Sequence, residues 1–124
     1  SERWDWPLPL PYPAAIRCQD LVFLSAHLPL GSSGQVLSQQ SLNEQTRTVM
    51  DNTGHTLAAF GLTLDHMVKQ TSFFFGRADR NDIVTNQMLR SSFYSEPAGA
   101  STGVPMPALA VEDTMVTVDT IAMA

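Results

Sequence analysis

The spacing of apolar residues changes along the chain, and each change marks a predicted element. Trp4 to Pro13 reads Trp-Asp-Trp-Pro-Leu-Pro-Leu-Pro-Tyr-Pro, where every proline fixes its own φ and keeps its predecessor out of the α region. This segment is expected to lie extended across the surface, pinned by its aromatics. Ala14 to Arg17 and Leu21 to Ala26, separated by Cys18-Gln19-Asp20, carry the strand formers Ile16, Val22 and Phe23 and predict a β-hairpin. Pro29 to Gly34 follows as a Gly/Ser loop. From Leu42 to Phe60 the apolar positions Val49, Met50, Leu57 and Phe60 recur at helical spacing, with Asn43 the expected N-cap and Gly61 the stop. Gly54 costs that helix about 1 kcal/mol relative to alanine, so a neighbouring backbone is expected to approach it closely.

Leu64 to His66 predicts a short turn into a strand from Met67 to Phe75, whose triple phenylalanine reads as a strand buried on both faces, by the sheet core within and a subunit interface without. Asp79 to Phe93 repeats the helical pattern, with Ile83, Val84, Met88 and Leu89 expected to face inward. Pro97 to Thr102 reads as a loop, Gly103 to Met106 as a short strand interrupted by Pro105 before Pro107, and Met115 to Ala122 as the last strand. The order ββ-α-β-α-ββ predicts an α+β fold, a single sheet backed by two helices on one face. One domain is expected over residues 1–124, with 1–13 as its extended N-terminal segment.

Composition adds a partner to this picture. Charged residues make up only 15% of the 124, well below the usual quarter, so much of the surface is neutral or apolar, as when a partner subunit covers it. Seven basic against twelve acidic residues give a net charge of −5, with Lys69 the sole lysine, which argues against nucleic acid as a partner. No apolar run approaches the length of a membrane span, and no basic then apolar leader opens the chain. Cys18 is the only cysteine, so a cysteine-rich metal site is excluded and a reducing, cytoplasmic setting is expected.

Taken singly, the polar candidates have ordinary explanations. His27 follows Ser25 at a strand end, where sites gather, but a turn histidine fits the same position. His55 and His66 lack the spacing of a zinc motif and read as surface or cap residues. Ser25 and His27 with a distant Asp would suggest a hydrolytic triad, but no Gly-x-Ser-x-Gly elbow surrounds the serine, and strand neighbours two apart cannot present a nucleophile to its base without help. Asp119, amid small and β-branched residues, is either exposed or facing a cleft.

Together and in order, the pieces resemble the RidA/YjgF family over nearly the whole chain. The matching stretches are Pro11-Tyr12, Asp20-Leu-Val-Phe-Leu-Ser25, Gln45-Thr-Arg47 through Asn52, Ala59-Phe-Gly61-Leu-Thr-Leu-Asp65 and Val68-Lys69. Beyond them come Asn86, Phe93, Ala100-Ser-Thr-Gly103 and Val116-Thr-Val-Asp-Thr-Ile-Ala122. The resemblance implies a chorismate-mutase-like sheet, three subunits closing their sheets into a central β-barrel, and small-molecule sites in the inter-subunit clefts. It also implies hydrolysis of reactive enamines and imines to a carbonyl compound and ammonia, with no metal and no cofactor.

Carried over by position, the resemblance places Tyr12, Ser25 and Asn86 in the cleft, with Ser101, Thr102 and Thr117 beside them. The arginine with which active deaminases of the family hold a substrate carboxylate is missing from the loop Gly99-Ala100-Ser101-Thr102-Gly103. Thr117 stands where the acid that assists the water is expected, and Asp119 would reach that role only through a shift of register. Pro105 and Pro107 are expected to reshape the cleft wall. The family's Gly-Gln after the strand-ending serine is Ala26-His27 here, which makes His27, with Tyr12, the expected acid/base group. The sequence thus predicts a cytoplasmic homotrimer that binds a small molecule and acts on a C–N bond as a hydrolase, deaminase or lyase. The rival is a non-catalytic ligand-binding or protective member of the family. The ribonuclease activity attached to the family's name conflicts with the net charge of −5.

Overall fold

The computed structural model describes residues 3–124; Ser1 and Glu2, which open the segment expected to be extended, lie outside the described residues. The elements are β1 (Ala15–Cys18), β2 (Leu21–Leu24), α1 (Leu42–Ala58), β3 (Met67–Phe75), α2 (Arg80–Ser91), β4 (Ala100–Met106) and β5 (Val116–Met123), with a 3-10 turn at Leu64–His66 before β3. They form one five-stranded sheet in the order β1-β2-β5-β3-β4. All pairings are antiparallel except β3 with β4, which run parallel because α2 crosses between them. This is the predicted α+β arrangement.

Helix α1 begins two residues earlier than an Asn43 cap would place it. Ser41 is the cap, at φ −133°, and its Oγ accepts from the Glu44 N–H at 3.1 Å. Gly61, at φ 73°, supplies the left-handed residue that turns the chain away, while the Leu62 N–H closes onto the Leu57 carbonyl at 3.1 Å. The expected close backbone at Gly54 is absent: a Cβ there would meet only the Leu64 side chain, at 3.8 Å. Gly34, by contrast, has a steric reason. Its φ is 77°, and a Cβ would lie 2.7 Å from the Trp6 carbonyl of the N-terminal segment crossing over it.

The core lies between α1 and the sheet. Val22, Leu24, Leu57, Leu62 and Ala122 pack at one end, and Leu42, Val49, Val116 and Val118 at the other. Five of the nine buried residues of α1 are polar, and two of them anchor loops. Gln45 donates to the carbonyls of Leu37 and Asp113 at 3.2 and 2.9 Å and accepts from the Met115 N–H at 2.7 Å. Asn52 donates to Leu30 at 3.1 Å. Trp4 is buried against Leu28 and Leu30 and so pins the otherwise largely exposed extended segment, as expected.

Helix α2 departs most from its periodicity. Val84 and Met88, expected inward, are 46% and 71% exposed, whereas Asn86 and Arg90 are its buried residues. Asn86 bridges to α1, donating to Thr46 Oγ1 at 2.7 Å and Asn43 Oδ1 at 3.1 Å. Polar pairing between the helices therefore sets the rotation of α2. Phe73, Phe74 and Phe75 are half-buried within the protomer. Strand β4 starts inside the expected loop and pairs with β3 from Ala100 through Met106 without interruption. Pro105 is tolerated because β4 is an edge strand whose outward side needs no donor. Among the described residues, no helix is long and apolar enough to cross a membrane.

Candidate functional site

Strand alternation gives the sheet two faces with different fates. Val22, Leu24, Val116, Val118 and Ala122 point toward the helices. The opposite face, which no described element covers, carries Ile16 and Phe23, exposed by 56% and 37%, then Ile121, Asp119 and Thr117 of β5, Lys69, Thr71 and Phe73 of β3, and Thr102 of β4.

At the β1–β2 edge a hollow of about 250 Å³ is lined by Tyr12, Pro13, Ala15, Ile16, Phe23, Leu24 and Ser25. The proline run places Tyr12. Its carbonyl accepts from the Trp6 indole at 3.1 Å, and its ring is left 64% exposed. Ser25 is held from both ends of its own residue: its N–H donates to Ala14 at 2.9 Å and its Oγ donates to Pro13 at 2.8 Å, leaving the hydroxyl lone pairs free to accept. A second hollow of about 190 Å³ shares Phe23 and Leu24 with the first and adds Lys69, Thr71, Asp119, Thr120 and Ile121. One carboxylate oxygen of Asp119 is buried with no hydrogen bond to a described residue. Lys69 donates to the Thr102 hydroxyl.

The remaining sequence candidates do not join Tyr12 and Ser25. Ser101 and Thr102 are consecutive on β4 and so face opposite sides of the sheet. Ser101 Oγ accepts from Gln70 Nε2 at 3.1 Å on the helix side, while Thr102 faces the open side. Both stand on the far edge, three inter-strand steps from β2, or roughly 14 Å. Thr117 lies mid-sheet opposite Phe73 and lines neither hollow. Asn86, expected in the cleft, is buried between the helices with its donors occupied.

His27 is the main correction. It is fully buried, not presented at a strand end. Its backbone forms a two-way bridge with Val118, at 2.8 and 3.1 Å, which turns the side chain toward α1. Nδ1 lies 2.7 Å from the Ser25 carbonyl, which can only accept, so Nδ1 carries the proton. Nε2 then accepts from Thr56 Oγ1 at 2.8 Å, and Trp4 packs edge-on at 4.9 Å. Burial pulls the imidazole pKa down to about 4, against a smaller opposing effect of the bond to Ser25. A neutral ring with both nitrogens engaged and no exposure cannot shuttle protons to a ligand. The sequence shows a histidine after a strand but not which way the ring turns.

Another hollow, of about 470 Å³, is one the sequence reading did not anticipate. It lies under the β4–β5 connection and is lined by Gln39, Phe75 and residues 108–115. Its only advance signal is the length of that connection. Among the described residues, no three His, Cys, Asp or Glu side chains converge as a metal-binding group. Gly99 has no room for a side chain, since a Cβ there would lie 2.6 Å from both the Met67 carbonyl and its sulfur.

Residues 8–124 match the family model described as Endoribonuclease L-PSP. The RutC family protein YjgH of Escherichia coli (strain K12) is 34% identical over 69% of this chain and 63% of its own length. The chloroplastic Reactive Intermediate Deaminase A of Arabidopsis thaliana is 31% identical over 80% of this chain and 51% of its own. Among solved structures, E. coli TdcF with bound serine superposes with a TM-score of 0.82 at 21% identity, covering 100% of this chain and 95% of that one.

Proposed function

The chain belongs to the Endoribonuclease L-PSP family, that of the RidA and YjgF proteins, and from that premise we propose that it is a cytoplasmic homotrimer hydrolysing small reactive imines or enamines. The observation that carries this reading is the pairing of Tyr12 and Ser25 in one hollow on the uncovered sheet face. Ser25, its hydroxyl proton committed to Pro13, accepts from the substrate N–H and holds the C=N carbon toward the opening. The exposed Tyr12 hydroxyl hydrogen-bonds the attacking water and passes a proton between its oxygen and the substrate nitrogen. Water adds to the C=N carbon, the C–N bond of the carbinolamine breaks, and ammonia leaves with the carbonyl product behind.

The distance across the sheet supports a shared site. Thr102 cannot meet Tyr12 within one protomer, but the β4 edge of a second copy set beside the β1–β2 edge would supply it. The substrate class follows from what is missing. With no arginine in the 99–103 loop and no space for one at Gly99, nothing in the hollow clamps a carboxylate, which favours neutral or aromatic substrates.

Ammonia release from a panel of neutral and carboxylate-bearing imines, generated in situ, tests the reading. Neutral imines are expected to turn over faster, and Tyr12→Phe to lower kcat about 10²-fold or more. No acceleration over buffer for any imine would refute it. The withdrawal of His27 and Asn86 into structural bonds favours one alternative, a ligand-binding protein without catalysis, which would bind the same compounds unchanged.

A further inference from the structure

Tyr12 and Ser25 stand on different segments, and one buried side chain touches the supports of both. His27 holds the Ser25 end directly, through the Nδ1–H bond to the Ser25 carbonyl at 2.7 Å. The Tyr12 end belongs to the strap of residues 3–13, in which Trp4 is the only buried residue and Trp6 is half-buried. The Trp4 indole N–H makes no hydrogen bond to a described residue, so packing seats the ring. It lies against Leu28 and Leu30 and edge-on to the His27 imidazole, with ring centres 4.9 Å apart and planes at 62°.

From Trp4 the contact continues to Tyr12. Trp6 meets Trp4 edge-on, again at 4.9 Å with planes at 84°, and the Trp6 indole N–H donates to the Tyr12 carbonyl at 3.1 Å. Pro7, Pro9 and Pro11 leave few free dihedrals between Trp6 and Tyr12, so a displacement of Trp6 is carried along the strap rather than absorbed by it. The backbone adds one tie, from the Asp5 N–H to the Gly31 carbonyl at 3.1 Å, which fixes the course of the strap but not the seating of its rings.

The imidazole is itself immobile. Its backbone is bridged both ways to Val118 of β5, and Nε2 accepts from Thr56 of α1 at 2.8 Å. We propose that His27 is a positioning residue for the hollow: it bonds Ser25 and seats Trp4, and Trp4 acts through Trp6 to set Tyr12. This inference rests on the reading of that hollow as the site of imine hydrolysis. A ring that never meets the substrate then controls the spacing between the hydroxyl that accepts from the substrate nitrogen and the hydroxyl that handles the water. A misplacement of about 1 Å at such a pair costs up to about 10²-fold in rate.

His27→Gln tests it, because glutamine keeps a donor and an acceptor but removes the ring beside Trp4. Hydrogen exchange of the Trp6 indole N–H, followed by NMR, reads the strap without any substrate. It should quicken roughly 2- to 10-fold in the variant, the factor that losing one edge-on aromatic pair allows. On a neutral imine, kcat should fall about tenfold or more while KM changes less. Ser41→Ala, which loses a helix cap and touches none of these rings, should leave both readings unchanged and so separates positioning from general loss of stability. Trp4→Phe should move both in the same direction as His27→Gln and replaces it if that variant does not fold. Unchanged indole exchange in a folded variant would overturn the proposal, as would faster exchange with kcat intact. If the unaltered protein hydrolyses no imine, the reading of the hollow falls, and the indole exchange alone still decides whether His27 seats the strap.

Discussion

Acidification should destabilise this protein through His27, and the size of the effect follows from the ring's surroundings. In the native state the neutral imidazole is enclosed by Trp4, Thr56 and the Ser25 carbonyl, and its pKa falls to about 4. In the unfolded chain it returns to about 6.5. Below pH 6.5 the unfolded state therefore binds a proton that the native state does not, and stability falls as pH falls until the native ring also protonates near pH 4. At about 1.4 kcal/mol per tenfold change in proton affinity, the full interval costs about 3 kcal/mol. That is a large part of the 5–15 kcal/mol that roughly spans domain stabilities. Urea midpoints measured at intervals from pH 8 to pH 4 should show this loss beginning near 6.5. His27→Gln supplies the control: its lost packing lowers stability at every pH, but its slope between pH 6.5 and 4 should be shallower by about 1.4 kcal/mol per pH unit. Asp65, whose carboxyl is held below its usual range by the Ser95 N–H and hydroxyl, loses its contribution in the same direction at lower pH, equally in both proteins. Parallel slopes for the two proteins would refute the burial argument and return His27 to the surface.

Light scattering at micromolar protein should give three times the protomer mass, and a monomer would leave the Tyr12 hollow without its second wall. Ser41→Ala should lower stability by about 1 kcal/mol in chemical denaturation, as expected for a lost helix cap, whereas Asn43→Ala, which loses only its link to Asn86, should cost less. Asn86→Ala should cost roughly 1–3 kcal/mol by stranding the Thr46 hydroxyl and leaving a gap between the helices, while KM for any imine stays unchanged in the protein that folds; a selective rise in KM would place Asn86 in the site after all.

Much of the fold was legible because local physics and tertiary packing agree along most of the chain. The proline run, the hairpin turn at Gln19-Asp20, the Gly61 stop and the β5 alternation are each decided by residues within a few positions of one another. The reading failed where distant groups competed. Asn43 and Ser41 are both acceptable caps, and the choice fell to Ser41 while Asn43 turned to meet Asn86. Periodicity in α2 counted Val84 and Met88 as inward, but hydrogen bonds from Asn86 to α1 rotate that helix and expose them.

The sequence by itself determined which segments are strands and helices and that two helices back one sheet, and its resemblance to the RidA and YjgF proteins pointed to Tyr12 and Ser25 together, which the short hairpin between Ala15 and Leu24 holds at one edge. Only the tertiary structure decided which way His27 points, that Ser101 and Thr102 serve opposite faces, and that Arg90 is buried. These three depend on contacts between residues tens of positions apart. Side-chain direction on a strand alternates with every residue, so a one-position uncertainty in where a strand begins inverts the face, and only the assembled ladder removes it.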